Sequence, residues 1–361
     1  MSNGKVTRRT ALGIMGSAVG MAALGGIPAF GQDKGKLTVA VPGGVVKDLE
    51  TDLYAKTLIA EKGYDVQVVN QPDSALEQLR AQVKSRNTIW DVTEINSLTF
   101  PAMEQDLLEK IDYSIVDPKN VLPRYAKRPN AVLVLVWSTV LAQRADKLPS
   151  GKEMKSWADF WDVKTFPGPR AMRKTSHHTL EFALVADGVP KAKVYDALGT
   201  KEGVDRAFAK MDKIKPHINA WWDNGAQAVQ VVSNGEAFYT PMFTGRLQSL
   251  SDSGIPLKLV WEGGLFHTTY HGILKGSKHV KEAHDWLRMR ATNPELAAKY
   301  VQTVPYPAPI PGAYAKLPVS LQAMLPTTPP HPEQLFTVNE AFWYSDRGNQ
   351  IQDRFLEWIL V

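Results

Sequence analysis

Residues 221–246 read WWDNGAQAVQVVSNGEAFYTPMFTGR. The order is an aromatic loop, a short helix, a turn at Asn234-Gly235 and a strand over 237–243. That strand runs into Thr244-Gly245-Arg246, where the glycine permits close backbone approach and the arginine is a permanent cation. Polar groups at the carboxyl end of a strand are where open α/β sheets hold ligands. The segment therefore reads as one wall of a small-molecule cleft, with Thr244 and Arg246 at its rim. Trp221 and Trp222 are adjacent and, on extended chain, face opposite ways. One is assigned to the core and the other, Trp222, to the cleft.

Upstream the chain alternates strands with amphipathic helices. Residues 37–41 form a short apolar strand closed by Pro42-Gly43-Gly44, and a helix with Leu53, Leu58 and Ile59 follows to Gly63. Strands are expected at 65–69 and 88–95, with helices at 74–84 and 101–111. This order implies parallel strands joined by right-handed crossovers. The strand ends, with Gly44 in one and Asn96 and Ser97 in another, then face one crevice.

The apolar run 131–141 is interrupted at Trp137-Ser138-Thr139. A buried strand accounts for the run, and the polar interruption fits a strand crossing between lobes past a cleft. Residues 263–274 read as a second crossing strand, after a separate strand at 255–261. Ser176-His177-His178-Thr179 precedes an apolar helix at 180–185. Further helices are expected at 204–214, 278–290, 294–303 and 349–360. Residues 304–334 are proline-rich and suit a stiff connector laid over a surface.

A chain of 361 residues is long enough for two domains with full cores. The formal charge of +5 owes three units to Lys5, Arg8 and Arg9, the only charges in residues 1–31. The remaining 39 basic and 37 acidic residues do not suggest a nucleic-acid surface. With no cysteine there is no disulfide, thiolate metal site or cysteine nucleophile. Thr-Arg-Arg-Thr at 7–10, the Gly/Ala-rich apolar stretch after it and small residues near position 31 read as a twin-arginine signal peptide spanning 1–31. A membrane anchor is the alternative, disfavoured by the stretch's shortness and glycine content. The expectation is an exported, soluble periplasmic protein that acts as a monomer.

Together these stretches resemble the spermidine/putrescine-binding family of periplasmic solute-binding proteins that serve ABC transporters. The resemblance rests on Ser-Trp-Ala-Asp-Phe-Trp at 156–161, Gly235-Glu236-Ala237 leading to Thr244-Gly245, and Trp261-Glu262-Gly263-Gly264. Val304-Pro305-Tyr306-Pro307 and Arg354-Phe355-Leu356-Glu357-Trp358 add to it. It implies a two-lobed α/β periplasmic-binding-protein fold of type II, with ligand held between the lobes. It also implies two crossing strands, a membrane permease as partner, and no catalysis. On that pattern one lobe spans 34–138 plus 270–303, and the other 139–269 plus 304–361.

The departures bear on the ligand. Polyamine-binding members look like aromatic boxes with carboxylates that pair ammonium groups. Here Thr175, His178 and Thr269 stand where acidic residues are expected, Phe243 and His267 where tryptophans are, and Leu98 where a tyrosine is. A dication without acidic partners lacks charge compensation. In its place stand donors: Arg246, His178, His267, Thr269, Thr244 and Ser138, with Trp137 at the crossing strand. Members with an arginine after the Asn/Thr-Gly pair look like binders of γ-aminobutyrate-type or other carboxylate ligands. The expected ligand is thus a small organic acid on Arg246, with polyamine binding as the alternative. An ammonium end would call on Glu94 or Asp223.

No cofactor and no metal are expected. His267, Thr269 and His271 share a strand face, but strand rise separates the two histidine backbones by about 13 Å, too far for one ion. A secreted hydrolase is the competing class, yet no nucleophile elbow, His-Glu-x-x-His or phosphate loop occurs in the mature chain.

Overall fold

The computed structural model describes residues 35–72, 75–96, 106–310 and 312–360. The segment 1–31 expected to be a signal peptide, Ser97, Leu98 and the start of the helix expected at 101–111 lie outside them. Among the described residues nine strands form one sheet, in the order β2-β1-β3-β8-β4-β7-β5-β6 with β9 beside β8. Their ranges are β1 Lys36–Val41, β2 Asp65–Asn70, β3 Val92–Asn96, β4 Val132–Arg144, β5 Arg170–Arg173, β6 Ile218–Trp222, β7 Tyr239–Phe243, β8 Leu257–Ile273 and β9 Phe336–Thr337.

β1 is parallel to β2 and β3, as the strand-helix alternation implies. β5 is likewise parallel to β6 and β7. The two parallel groups are joined by β4 and β8, long antiparallel neighbours at the centre of the sheet. β8 pairs with β3 on one side, and β4 pairs with β7 on the other. These are the two crossing strands.

Each parallel group is packed by its own helices. One core includes Leu37, Tyr54, Leu58, Val92, Leu133 and Trp286. A second includes Trp157, Phe160, Phe182, Met211, Tyr239 and Phe355, with Trp157 stacked on Phe182 at 3.7 Å between ring centroids. A smaller cluster, with Trp222, Met242, Leu247 and Leu250, backs β7. Across the first core Arg290 donates to Glu50 at 2.9 Å, both side chains fully buried. Glu50 opens a π-helical segment, Glu50–Ala55, within the helical run after β1.

Several expected boundaries shift. β3 starts at Val92 rather than 88, because the amides of Ile89 and Trp90 are taken by Gln82 Oε1. Residues 106–111 are not helical: Leu108 bridges to Leu274, and the Ile111 amide donates to Pro129. Trp221 and Trp222 end a strand instead of lying in a loop. The strands expected at 255–261 and 263–274 are one strand, kept continuous across a register shift where Gly263 adopts φ +73°.

Candidate ligand-binding site

Directly opposed residues in a ladder lie on the same face of a sheet. The register pairs Glu94 with His271, Asn96 with Thr269, Trp137 with His267, and Thr139 with Phe243. One face spanning β3, β8, β4 and β7 therefore presents Glu94, Thr269, His267, Trp137, Thr139 and Phe243 together. Trp137 is its centrepiece. It stacks on His267 at 3.9 Å, meets Phe243 edge-on at 5.1 Å and donates its indole N–H to Thr269 Oγ1 at 3.2 Å.

His178, at the start of the helical segment Ser176–Ala186, closes one side. It is fully buried and holds φ +73°, a left-handed conformation rare for a side chain with a Cβ. The Thr139 hydroxyl lies 3.3 Å from His178 Nδ1 and 3.2 Å from His267 Nε2, so the two rings share it. Arg173, at the carboxyl end of β5, reaches His178 Nδ1 at 3.0 Å and stands 5.3 Å from the Phe243 ring. Burial, reinforced by the Arg173 charge, drives His177, His178 and His267 well below the usual histidine range. These rings are neutral, and the fixed positive charge on this side belongs to the guanidinium.

Arg246 forms the rim beside Phe243. It ends the 3₁₀ turn Thr244–Arg246 and packs against Gly225, where a Cβ would meet its Nε at 3.0 Å. Among the described residues it has no carboxylate within ion-pair distance. Beneath it Gly245 admits the Tyr306 ring, which a Cβ there would meet at 2.2 Å. Burial pushes the Tyr306 phenol up to about 12; the Arg246 charge pulls it down and the Glu94 charge pushes it up. Tyr306 thus lies within electrostatic reach of both. Among the described residues Glu94 Oε2 and His267 Nδ1, both on this face, are buried with no hydrogen-bond partner, as is Ser138 Oγ, which belongs to the opposite face of β4. Each such atom costs about 1–3 kcal/mol if left unmet, so Glu94 Oε2 and His267 Nδ1 mark this face as a place built for a polar guest.

The chain matches the family model described as bacterial extracellular solute-binding protein over residues 54–327. It is 34% identical, over 89% of its length and 90% of the relative's, to the gamma-aminobutyric acid-binding protein of Pseudomonas aeruginosa. The chain belongs to this solute-binding family. Among solved structures, an ABC transporter substrate-binding protein from Bradyrhizobium japonicum USDA 110 shares 30% identity at a TM-score of 0.79, covering 90% of this chain and 99% of that one. The Atu4243-GABA receptor shares 25% identity at a TM-score of 0.77, covering 90% and 97%. The fold is the two-lobed one of these proteins, and the chain is a solute-binding protein of ABC transport rather than an enzyme. Among the described residues no helix is long and apolar enough to cross a membrane.

In this solute-binding protein the sequence-derived site residues are not all brought together. Trp137, Phe243, Thr244, Arg246, His178, His267 and Thr269 converge. Ser138 is buried; its amide donates to Thr244 Oγ1 at 3.2 Å, which ties the crossing strand to the rim. Trp222 is wholly buried, donates to Thr240 Oγ1 at 3.0 Å and meets Phe243 edge-on at 5.4 Å, so it supports the wall from behind. Trp221 packs against Trp358. Thr175 precedes the helical segment, its hydroxyl bound to the His177 carbonyl at 2.9 Å. Asn96, opposite Thr269, lies exposed at the end of β3 on the same face, Gly44 is exposed at the start of the helix after β1, and Ser97 lies outside the described residues. Asp223 is exposed, whereas Glu94 retains only 12% side-chain access on the site face. Arg173, Thr139 and Tyr306 were not singled out as ligand contacts. Arg173 stands, like Arg246, as a cation at the carboxyl end of a strand, but β5 is not among the expected strands. Tyr306 has no local signal, because the proline-rich connector brings it in when the Pro307 carbonyl accepts from the Val136 amide at 2.8 Å.

Proposed function

We propose that the chain delivers a small carboxylate-bearing solute, an organic acid or a γ-aminobutyrate-like compound, to an ABC permease at the inner membrane. Arg246 supports this reading most directly: a guanidinium at the rim of an aromatic cleft, without a protein carboxylate, offers the planar fork that a ligand carboxylate fits. Arg173 adds a second positive group across the Phe243 ring. A polyamine entering here would meet two guanidinium groups. The relatives that bind γ-aminobutyrate favour the same class.

In this reading the lobes are 34–138 plus 270–303 and 139–269 plus 304–361, a division supported by the separate cores on either side of β4 and β8. Solute enters the open cleft, and its greater affinity for the closed form draws the lobes together. The twin-arginine segment at 1–31 would send the folded chain to the periplasm, where it acts as a monomer. Calorimetric titration with organic acids, amino acids and polyamines tests the ligand class. An acid should bind, and Arg246→Gln should weaken it by about 30-fold or more. Tight spermidine binding with no acid binding contradicts the reading.

A further inference from the structure

The carboxylate on Arg246 leaves the other end of the solute unassigned, and Glu94 occupies the matching position. We propose that Glu94 anchors an ammonium group, so that the cleft selects amino acids with charges at opposite ends of a short chain over simple carboxylic acids; this rests on the carboxylate reading of Arg246.

Three observations carry it. First, the pairing of Glu94 with His271 and of Asn96 with Thr269 puts the carboxylate on the face that holds Trp137 and His267. Its side chain keeps 12% access, while Oε2 has no hydrogen-bond partner.

Second, among the described residues none of the surrounding groups supplies a counter-charge of its own. His271 Nε2 lies 3.6 Å from Glu94 Oε2. The Trp286 indole can only donate, and it does so to His271 Nδ1 at 3.3 Å. The neutral ring therefore carries its proton on Nε2, toward Glu94. Burial holds His271 down to about 4, so the ring contributes a dipole and no charge. Arg290, the other nearby cation, is bound to Glu50 in the core. Tyr300 and Tyr306, which also feel Glu94, are neutral phenols.

Third, Tyr306 is acted on by Arg246 and Glu94 with opposite sign while its ring covers Gly245 beside the arginine. One phenol ring thus lies within electrostatic reach of both charges, and its centroid is 6.4 Å from that of Trp137. A methylene chain laid across these aromatics would place an ammonium at Glu94 and a carboxylate at Arg246. A diamine could satisfy Glu94 but would set its second charge against Arg246, and a dicarboxylate would do the reverse.

Calorimetric titration of the exported chain with γ-aminobutyrate, butyrate, glutarate and putrescine tests this. γ-Aminobutyrate should bind about 30-fold or more tighter than butyrate. Glu94→Gln should erase that margin by weakening γ-aminobutyrate relative to butyrate. Equal affinity of the wild-type chain for γ-aminobutyrate and butyrate overturns the assignment, a comparison that needs no variant. So does unchanged γ-aminobutyrate affinity in a Glu94→Gln protein that melts cooperatively, and in both cases the Arg246 reading stands. Binding of putrescine alone, or of none of the four, overturns the carboxylate reading and Glu94's role with it.

Discussion

Burial raises the Glu94 carboxyl to about 7 from 4.5, partly offset by the Arg290 charge. The folded chain therefore holds a proton that the unfolded chain releases between about pH 4.5 and 7. Glu94's stabilising contribution is full below 4.5 and is lost as pH rises through 7. At pH 8 it is a buried anion that destabilises the ligand-free protein by on the order of 1–3 kcal/mol. Glu94→Gln cannot ionise, so its melting temperature should exceed that of wild type by several degrees at pH 8 and match it near pH 4.5. Equal melting temperatures at both pH values would show that Glu94 is well solvated. The sequence offers Glu94 and Asp223 as candidates for an ammonium end without choosing between them, because a glutamate near the end of a strand is ordinarily a solvated charge. What distinguishes Glu94 is its ladder partner 177 positions away, His271. Arg173 differs: no strand is expected at 170–173 from the sequence, so both its place at a strand end and its approach to His178 required the fold.

The crossing strands are the elements that assemble the site. Their apolar runs were legible because Trp137-Ser138-Thr139 breaks the hydrophobicity of 131–141 in a way that a buried strand does not need. Less legible was the unity of β8, since Gly263-Gly264 ordinarily signals a turn. In the fold Gly263 keeps the strand running by adopting φ +73°, with its carbonyl accepting the Trp157 indole N–H at 2.9 Å. A Cβ there would lie 2.8 Å from Val185 Cγ1 and 2.9 Å from Trp157 Cδ1. Gly263→Ala combines a left-handed penalty with overpacking, and denaturant unfolding should show a loss of about 2–4 kcal/mol. A loss below about 0.5 kcal/mol would mean that the strand relaxes around the methyl group. The helix expected to reach Ile111 failed for a related reason. Periodicity in 106–111 does not disclose that Leu108 bridges to Leu274.

At the scale of the molecule, the alternation of strands and helices over 37–111 was enough to give one parallel α/β group, and the expectation of two lobes came from the family resemblance. The sheet order, with β4 and β8 between two parallel groups, follows from long-range pairing that no local pattern encodes. This arrangement makes the site a seam. Glu94 comes from the β3 side and Arg173, Phe243 and Arg246 from the β7 side, while Trp137, His267 and Thr269 line the strands between them. Closure of the lobes would bring both walls onto one solute, with its negative end on the arginine side. The crystal structure of the protein with γ-aminobutyrate bound tests that claim most directly. The account predicts a ligand carboxylate within hydrogen-bond distance of the Arg246 guanidinium and a methylene chain against Trp137. A ligand seated with its ammonium group toward Arg173 and Arg246, or held outside the face formed by Trp137 and Phe243, would contradict it.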